Sequence, residues 1–158
     1  PIRRCSTPSR RSASAGGWLS ACRPRSRSVV EPAALLAVFT GAGLGALLRW
    51  GLALWLNPLV PNLPLGTVAA NLGGGLLVGI ATTVFAQHPE LPLQWRLLVI
   101  TGFLGGLTTF STFSAEVVHL IQRHEYAWAA GAAGVHLLGS LALTGLGIAL
   151  ALALFGRG

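Results

Sequence analysis

Aspartate and lysine are missing from all 158 residues, methionine is absent, and cysteine occurs only twice. The charged set is eleven arginines and four glutamates, 9% of the chain, about a third of the usual share. So few charges cannot solvate the surface of a soluble domain this size. The hydrophobic share of 53% excludes a disordered chain, and two cysteines exclude a disulfide scaffold. What remains is a chain whose solvent is lipid. With no methionine to mark a start, residues 1–32 are expected to be a disordered basic tail, or upstream or targeting sequence, ahead of a single domain over residues 33–158.

The net charge of +7 and pI near 11.6 would suit a nucleic-acid partner, but its distribution does not. Arg3, Arg4, Arg10, Arg11, Arg23, Arg25 and Arg27 all precede residue 33. Beyond it, Arg49, Arg96, Arg123 and Arg157 stand against Glu90, Glu116 and Glu125, a net charge of +1. No basic face is left for nucleic acid. Cys5 and Cys22 also lie in the tail, so the body needs no redox chemistry.

A membrane-spanning helix needs about 20 mostly apolar residues. Four candidates fit: about Ala33 to Leu56, Gly66 to Ala86, Trp95 to Gln122, and Tyr126 to Phe155. The Asn57–Pro64 loop, His88-Pro89-Glu90-Leu91-Pro92 and Arg123-His124-Glu125 separate them. Trp50, Trp55, Trp95, Tyr126 and Trp128 cluster near span ends, where interfacial aromatics sit. Outside the tail, Arg96 and Arg157 fall on one side and Arg49 and Arg123 on the other. That tie predicts weak topological preference, and a chain inserted both ways can pair with its inverted twin. Gly41-x-x-x-Gly45, Gly75-x-x-x-Gly79 and Gly102-x-x-x-Gly106 are read as close helix packing. Gly41-Ala42-Gly43-Leu44-Gly45-Ala46 imitates a dinucleotide fingerprint, but that motif needs a βαβ unit and an acid about 20 residues on. Neither is present.

Polar side chains inside a span are functional candidates unless they face protein. Asn71, beside Gly73-Gly74-Gly75, offers two N–H donors, and an interhelical hydrogen bond explains it equally well. The third span carries paired glycines, Gly105-Gly106, then paired threonines, Thr108-Thr109, a plausible break whose freed carbonyls suit a cation such as Na⁺. At 100° per residue, Thr108, Thr112, Glu116 and His119 form one stripe with Ser111 at its margin, beside a stacked pair, Phe110 and Phe113. His136, Ser140 and Thr144 form a second stripe on the fourth span. His136 is read either as bonded to a neighbouring helix or as touching an ion, in which case its protonation would make conduction depend on pH. Amide and hydroxyl donors, with phenyl rings whose edges are positive, suit a small anion that must be desolvated yet released.

Gly105–Glu116 reads GGLTTFSTFSAE after Thr101-Gly102-Phe103-Leu104, and this closely resembles the signature of the Fluc/CrcB fluoride channel family. Leu65-Gly66-Thr67-Val68-Ala69-Ala70-Asn71, the glycine string of the first span with Arg49-Trp50, and Leu137-Leu138-Gly139-Ser140 extend the likeness over residues 33 to 155. The resemblance implies an all-α membrane protein with four transmembrane helices, the third broken, forming an antiparallel dual-topology homodimer in the inner (plasma) membrane. It implies a passive, fluoride-selective channel that lowers cytoplasmic fluoride. Asn71, Phe110, Phe113, Ser111, Thr112 and Ser140 would line the fluoride pore, and Arg49 and Glu116 would sit at a vestibule. The backbone carbonyls of Gly105 and Thr108 would hold a structural Na⁺ at the dimer interface.

Two other readings stand beside it. A proton-coupled small multidrug transporter needs an embedded carboxylate, for which Glu116 is the only candidate, and the first span has no acid. A structural subunit of a membrane complex would not require a hydroxyl-loaded break. An enzyme is not expected, because no nucleophile, base and orienter assemble into a set.

Overall fold

The computed structural model describes residues 31–60 and 62–156. Residues 1–30 of the expected basic tail and Arg157 lie outside the described residues, whereas Glu31 and Pro32, also assigned to the tail, already belong to the start of the first helix.

Five helices make up the described chain: α1 (Pro32–Leu56), α2 (Leu65–Gln87), α3 (residues 93–107), α4 (Phe110–Gln122) and α5 (Tyr126–Phe155). Pro32 opens α1, where its missing N–H would have had no helical partner anyway. The N-terminus of α2 is tied down by Asn57, whose Oδ1 accepts the Gly66 N–H at 2.8 Å. Two stretches are wound more widely than an α-helix, Leu97–Leu104 in α3 and Val135–Gly139 in α5. The four expected spans fall on four segments long and apolar enough to cross a membrane: Pro32–Leu59, Leu65–Gln87, Leu93–Gln122 and Tyr126–Phe155. Their limits differ from the expected ones by a few residues at most.

Between α3 and α4 the backbone is extended at Thr108 (φ −80°, ψ 151°) and Thr109 (φ −149°, ψ 118°). The two threonines have opposite tasks. Thr108 closes α3, its N–H and hydroxyl both donating to the Leu104 carbonyl, at 3.0 and 2.9 Å. Thr109 starts α4 as its N-cap, its hydroxyl accepting the Thr112 N–H at 3.2 Å.

Helices pair where side chains are smallest. A Cβ added to Gly41 or Gly45 of α1 would strike the Leu98 or Phe103 carbonyl of α3, and one on Gly106 would strike Ala42 in return. On the other side, Gly75 and Gly79 of α2 meet the Ser140 and Thr144 carbonyls of α5, and Gly147 meets Leu76. The three glycine pairs therefore pack backbone against backbone, as expected. Gly43, by contrast, faces open space, and the fingerprint-like string lies wholly within α1 with no strand among the described residues.

Buried apolar contacts are few. Ala70, Leu104 and Leu107 form one cluster, and Leu120, Ala129 and Ala132 another at the α4–α5 turn. Large side chains such as Phe39, Trp55 and Leu154 point outward. In water such a surface would aggregate; in a bilayer it is solvated.

Candidate ion pathway

A cavity of about 300 Å³ lies between α2, the Thr108–Thr109 segment, α4 and α5. It brings together four of the six residues expected to line the pore, Asn71, Phe110, Phe113 and Ser140, with Thr108, Thr109 and His136 beside them, whereas Ser111 and Thr112 are not part of its wall. Among the described residues, no Arg or Glu side chain lines it. Its polar groups are an amide, hydroxyls and an imidazole, and the rest of its wall is apolar.

Asn71 is the hub. Its Oδ1 accepts the Thr109 N–H at 2.7 Å and its Nδ2 donates to the Thr109 carbonyl at 2.9 Å. The side-chain amide thus replaces both bonds that the backbone of Thr109 gives up by leaving the helix. Nδ2 also lies 3.0 Å from His136 Nδ1 on α5. Both readings of Asn71 left open by the sequence therefore have a place: it makes interhelical bonds, and it lines the cavity.

The phenyl pair differs from the stacked arrangement expected. Phe110 and Phe113 meet edge to face, with centroids 5.4 Å apart and planes at 72°. Rings one turn apart on a helix diverge too far to lie flat on each other, and the edge contact also suits their quadrupoles. The flat neighbour of Phe113 is instead His136, at 4.6 Å and 31°. Phe110 is 78% exposed in the single chain.

The polar stripe of the third span also changes. Thr108 lies ahead of α4 and off its helical register, so only Thr112 and Glu116 keep the expected spacing as half-buried groups, while His119 is exposed. Thr112 takes a 3.0 Å bond from the Thr109 hydroxyl, and Ser111, exposed, lies 3.3 Å from the same hydroxyl. On α5, the wide turns at Val135–Gly139 keep His136 and Ser140 at the cavity. Thr144 is spent on the carbonyls of Gly75 (3.1 Å) and Ser140 (2.8 Å).

Three other expected residues sit outside the cavity wall. Glu116 accepts a 2.6 Å bond from Thr67 of α2. Arg49 of α1 donates through Nε to the Gly106 carbonyl at 3.2 Å, near the C-terminus of α3. Gly105 lies one residue before it. The carbonyls of Gly105 and Thr108 accept no hydrogen bond across this junction among the described residues, since their usual partners, the Thr109 and Thr112 N–H groups, are taken by Asn71 and by the Thr109 hydroxyl. Two unpartnered carbonyl oxygens are hard donors of the kind a small cation takes.

In the sequence Thr109 is read only as half of the threonine pair at the break and Thr67 only as part of the Leu65–Asn71 string, and neither is given a task of its own. A threonine directly ahead of an amphipathic run is an N-cap signal that would have singled out Thr109. No local signal marks Thr67.

Residues 36–148 match the family described as CrcB-like protein, Camphor Resistance (CrcB). The fluoride-specific ion channel FluC of Burkholderia pseudomallei (strain 668) is 58% identical over 114 residues, 72% of this chain and 89% of that relative. The protein of the same name from Burkholderia thailandensis is 57% identical over 114 residues, with the same coverage. That from Tolumonas auensis is 60% identical over 115 residues, 73% of this chain and 91% of its own length. With four membrane-crossing helices and a match over most of its length, this multi-pass membrane protein belongs to the CrcB family.

Proposed function

We propose that the protein is a passive, fluoride-selective channel that lowers cytoplasmic fluoride, and that it works in the inner membrane as an antiparallel homodimer. The observation that carries this is a cavity free of charged side chains, furnished with amide, hydroxyl and imidazole groups and edged by phenyl rings, in a chain closely related to proteins named fluoride-specific ion channels. Fluoride holds its water tightly. A path that replaces that water with neutral donors and the positive rims of Phe110 and Phe113 lowers the barrier without trapping the ion. Ser140 supplies a further hydroxyl in its wall, and Ser111 and Thr112, set beside the Thr109 hydroxyl, would extend the polar track beyond it. Arg49 and Glu116 stand at its approach, where a cationic side chain raises the local anion concentration. No energy source is needed: a membrane negative inside drives the anion out.

The dimer has physical support in the single chain. Phe110, the residue most exposed at the cavity, is apolar and needs a cover. The extended Thr108–Thr109 pair acts as a break within a membrane-crossing segment, a conformation tolerated only where protein covers it or a cavity adjoins it. One copy offers only the two free carbonyls of Gly105 and Thr108. Two copies related by inversion offer four, and a dehydrated Na⁺ shared between them would serve as a structural tie and not as a coupled substrate.

Fluoride efflux from liposomes containing the purified protein, read with a fluoride electrode, tests the function. Rapid fluoride release with negligible chloride release is expected. Equal leakage of both ions, or none, overturns it. Fluoride-independent exchange of protons for an organic cation would point to Glu116 as a transport carboxylate instead.

A further inference from the structure

The hydrogen bonds of Asn71 leave no choice of direction. A backbone N–H can only donate, so the atom 2.7 Å from Thr109 N is Oδ1; a carbonyl can only accept, so the atom 2.9 Å from Thr109 O is Nδ2. Turning the amide over would set like groups against each other at both positions. The second hydrogen of Nδ2 is thereby left for His136 Nδ1, 3.0 Å away. A ring nitrogen that receives an N–H must offer its lone pair, so the imidazole hydrogen sits on Nε2. Thr109 thus sets the tautomer of a histidine on another helix through one asparagine.

His136 Nε2 is the unusual atom. The residue is 4% exposed, Nε2 shows less than 1 Å² to solvent, and it has no hydrogen-bond partner among the described residues. The ring lies against Phe113 and forms part of the cavity wall. A buried N–H with no acceptor is costly and rare. Charged neighbours do not explain it. Leu65–Gln87 of α2 contains no titratable residue; on α4, Glu116 is bonded to Thr67 and His119 is exposed; Arg49 of α1 is turned to Gly106.

We propose that His136, locked by Asn71 as the Nε2–H tautomer, is the specificity-determining hydrogen-bond donor of the cavity, and that Asn71 is a positioning residue whose own hydrogens are already committed. This rests on the anion-channel reading above. Because Nε2 is almost sealed, an ion reaches it only where Phe113 or the adjoining wall yields slightly. The required movement grows with ionic radius, so fluoride gains the bond and chloride does not.

The test uses the full chain in lipid nanodiscs with ¹⁵N-labelled histidine, the His136 signals being assigned by their loss in His136→Gln. The hydrogen is expected on Nε2, and its resonance should move on adding sodium fluoride and stay in place with sodium chloride. In Asn71→Leu the preference for that tautomer should disappear. In liposomes, His136→Leu should lose at least about tenfold in fluoride flux, corresponding to about 1.4 kcal/mol, with His136→Gln retaining more. A hydrogen on Nδ1, a resonance indifferent to fluoride, or an undiminished flux in His136→Leu overturns the inference while the wild type still conducts fluoride. A wild type that conducts none overturns the channel reading itself, and this inference with it.

Discussion

Thr67 and Glu116 join α2 to α4 through a 2.6 Å hydrogen bond, with Thr67 itself only 3% exposed. The Thr67 hydroxyl is buried, so no water can take the place of the half-buried carboxyl group as its partner. Thr67→Val keeps the shape and removes the hydroxyl. It is expected to lower stability by about 1–3 kcal/mol and to reduce fluoride flux, whereas Thr67→Ser should restore most of both. Thermal unfolding in detergent together with liposome efflux measures the pair of effects.

Thr109 caps α4 through its side chain and is held by Asn71 through its backbone. Replacing it with valine removes only the first. A loss of about 1 kcal/mol is expected, seen as faster hydrogen exchange at the Thr112 amide. Thr109→Ser should show wild-type protection.

The edge contact between Phe110 and Phe113 supplies ring rims and no charge. Phe110→Ile and Phe113→Ile keep apolar bulk but lose the quadrupole, worth about 0.5–1.5 kcal/mol. Throughput should therefore fall by about two- to tenfold, with the cross-linking pattern unchanged from that of the wild type. Unchanged flux in both variants would remove the rings from the pathway.

Gly79 lies against the Thr144 carbonyl, and Gly131 has no neighbour near its missing side chain. Gly79→Val should separate α2 from α5 and destabilise the fold by roughly 1–3 kcal/mol. Gly131→Ala should be neutral or slightly stabilising, since alanine is the better helix residue. The contrast is read from the yield of folded protein and its unfolding temperature.

Under the proposal of a shared structural Na⁺, replacing Na⁺ by a larger organic cation during purification should reduce fluoride flux only over hours, since an ion enclosed between two copies would escape slowly. Immediate loss on mixing would indicate a coupled ion, and indifference would remove the role given to the Gly105 and Thr108 carbonyls.

The spans were legible because apolar runs of sufficient length are punctuated by Asn57, Pro58, Pro61 and Pro64, by Pro89 and Pro92, and by Arg123. The glycine spacings foretold which helix faces touch, since only glycine or alanine lets backbones meet. Helical periodicity failed at Thr108 because the residue is extended, and a 100° rotation per residue has no meaning there. The bonds from Asn71 to Thr109 and His136, and from Thr67 to Glu116, span 38, 65 and 49 residues. They depend on how α2 crosses its neighbours, which no local pattern encodes. The edge-to-face geometry of the phenyl pair is likewise a matter of rotamers set by packing.

The thirty residues of α5 rise about 45 Å at 1.5 Å each, whereas the hydrocarbon layer is only about 30 Å thick and the whole bilayer about 40–45 Å. A helix of that length reaches from one phosphate layer to the other, with Tyr126 and Trp128 near one end. Acyl chains longer or shorter than it prefers will tilt it or pinch the leaflet around it, at fractions of a kcal/mol per Å. The thickness of the lipid chosen for reconstitution is therefore an experimental variable in its own right.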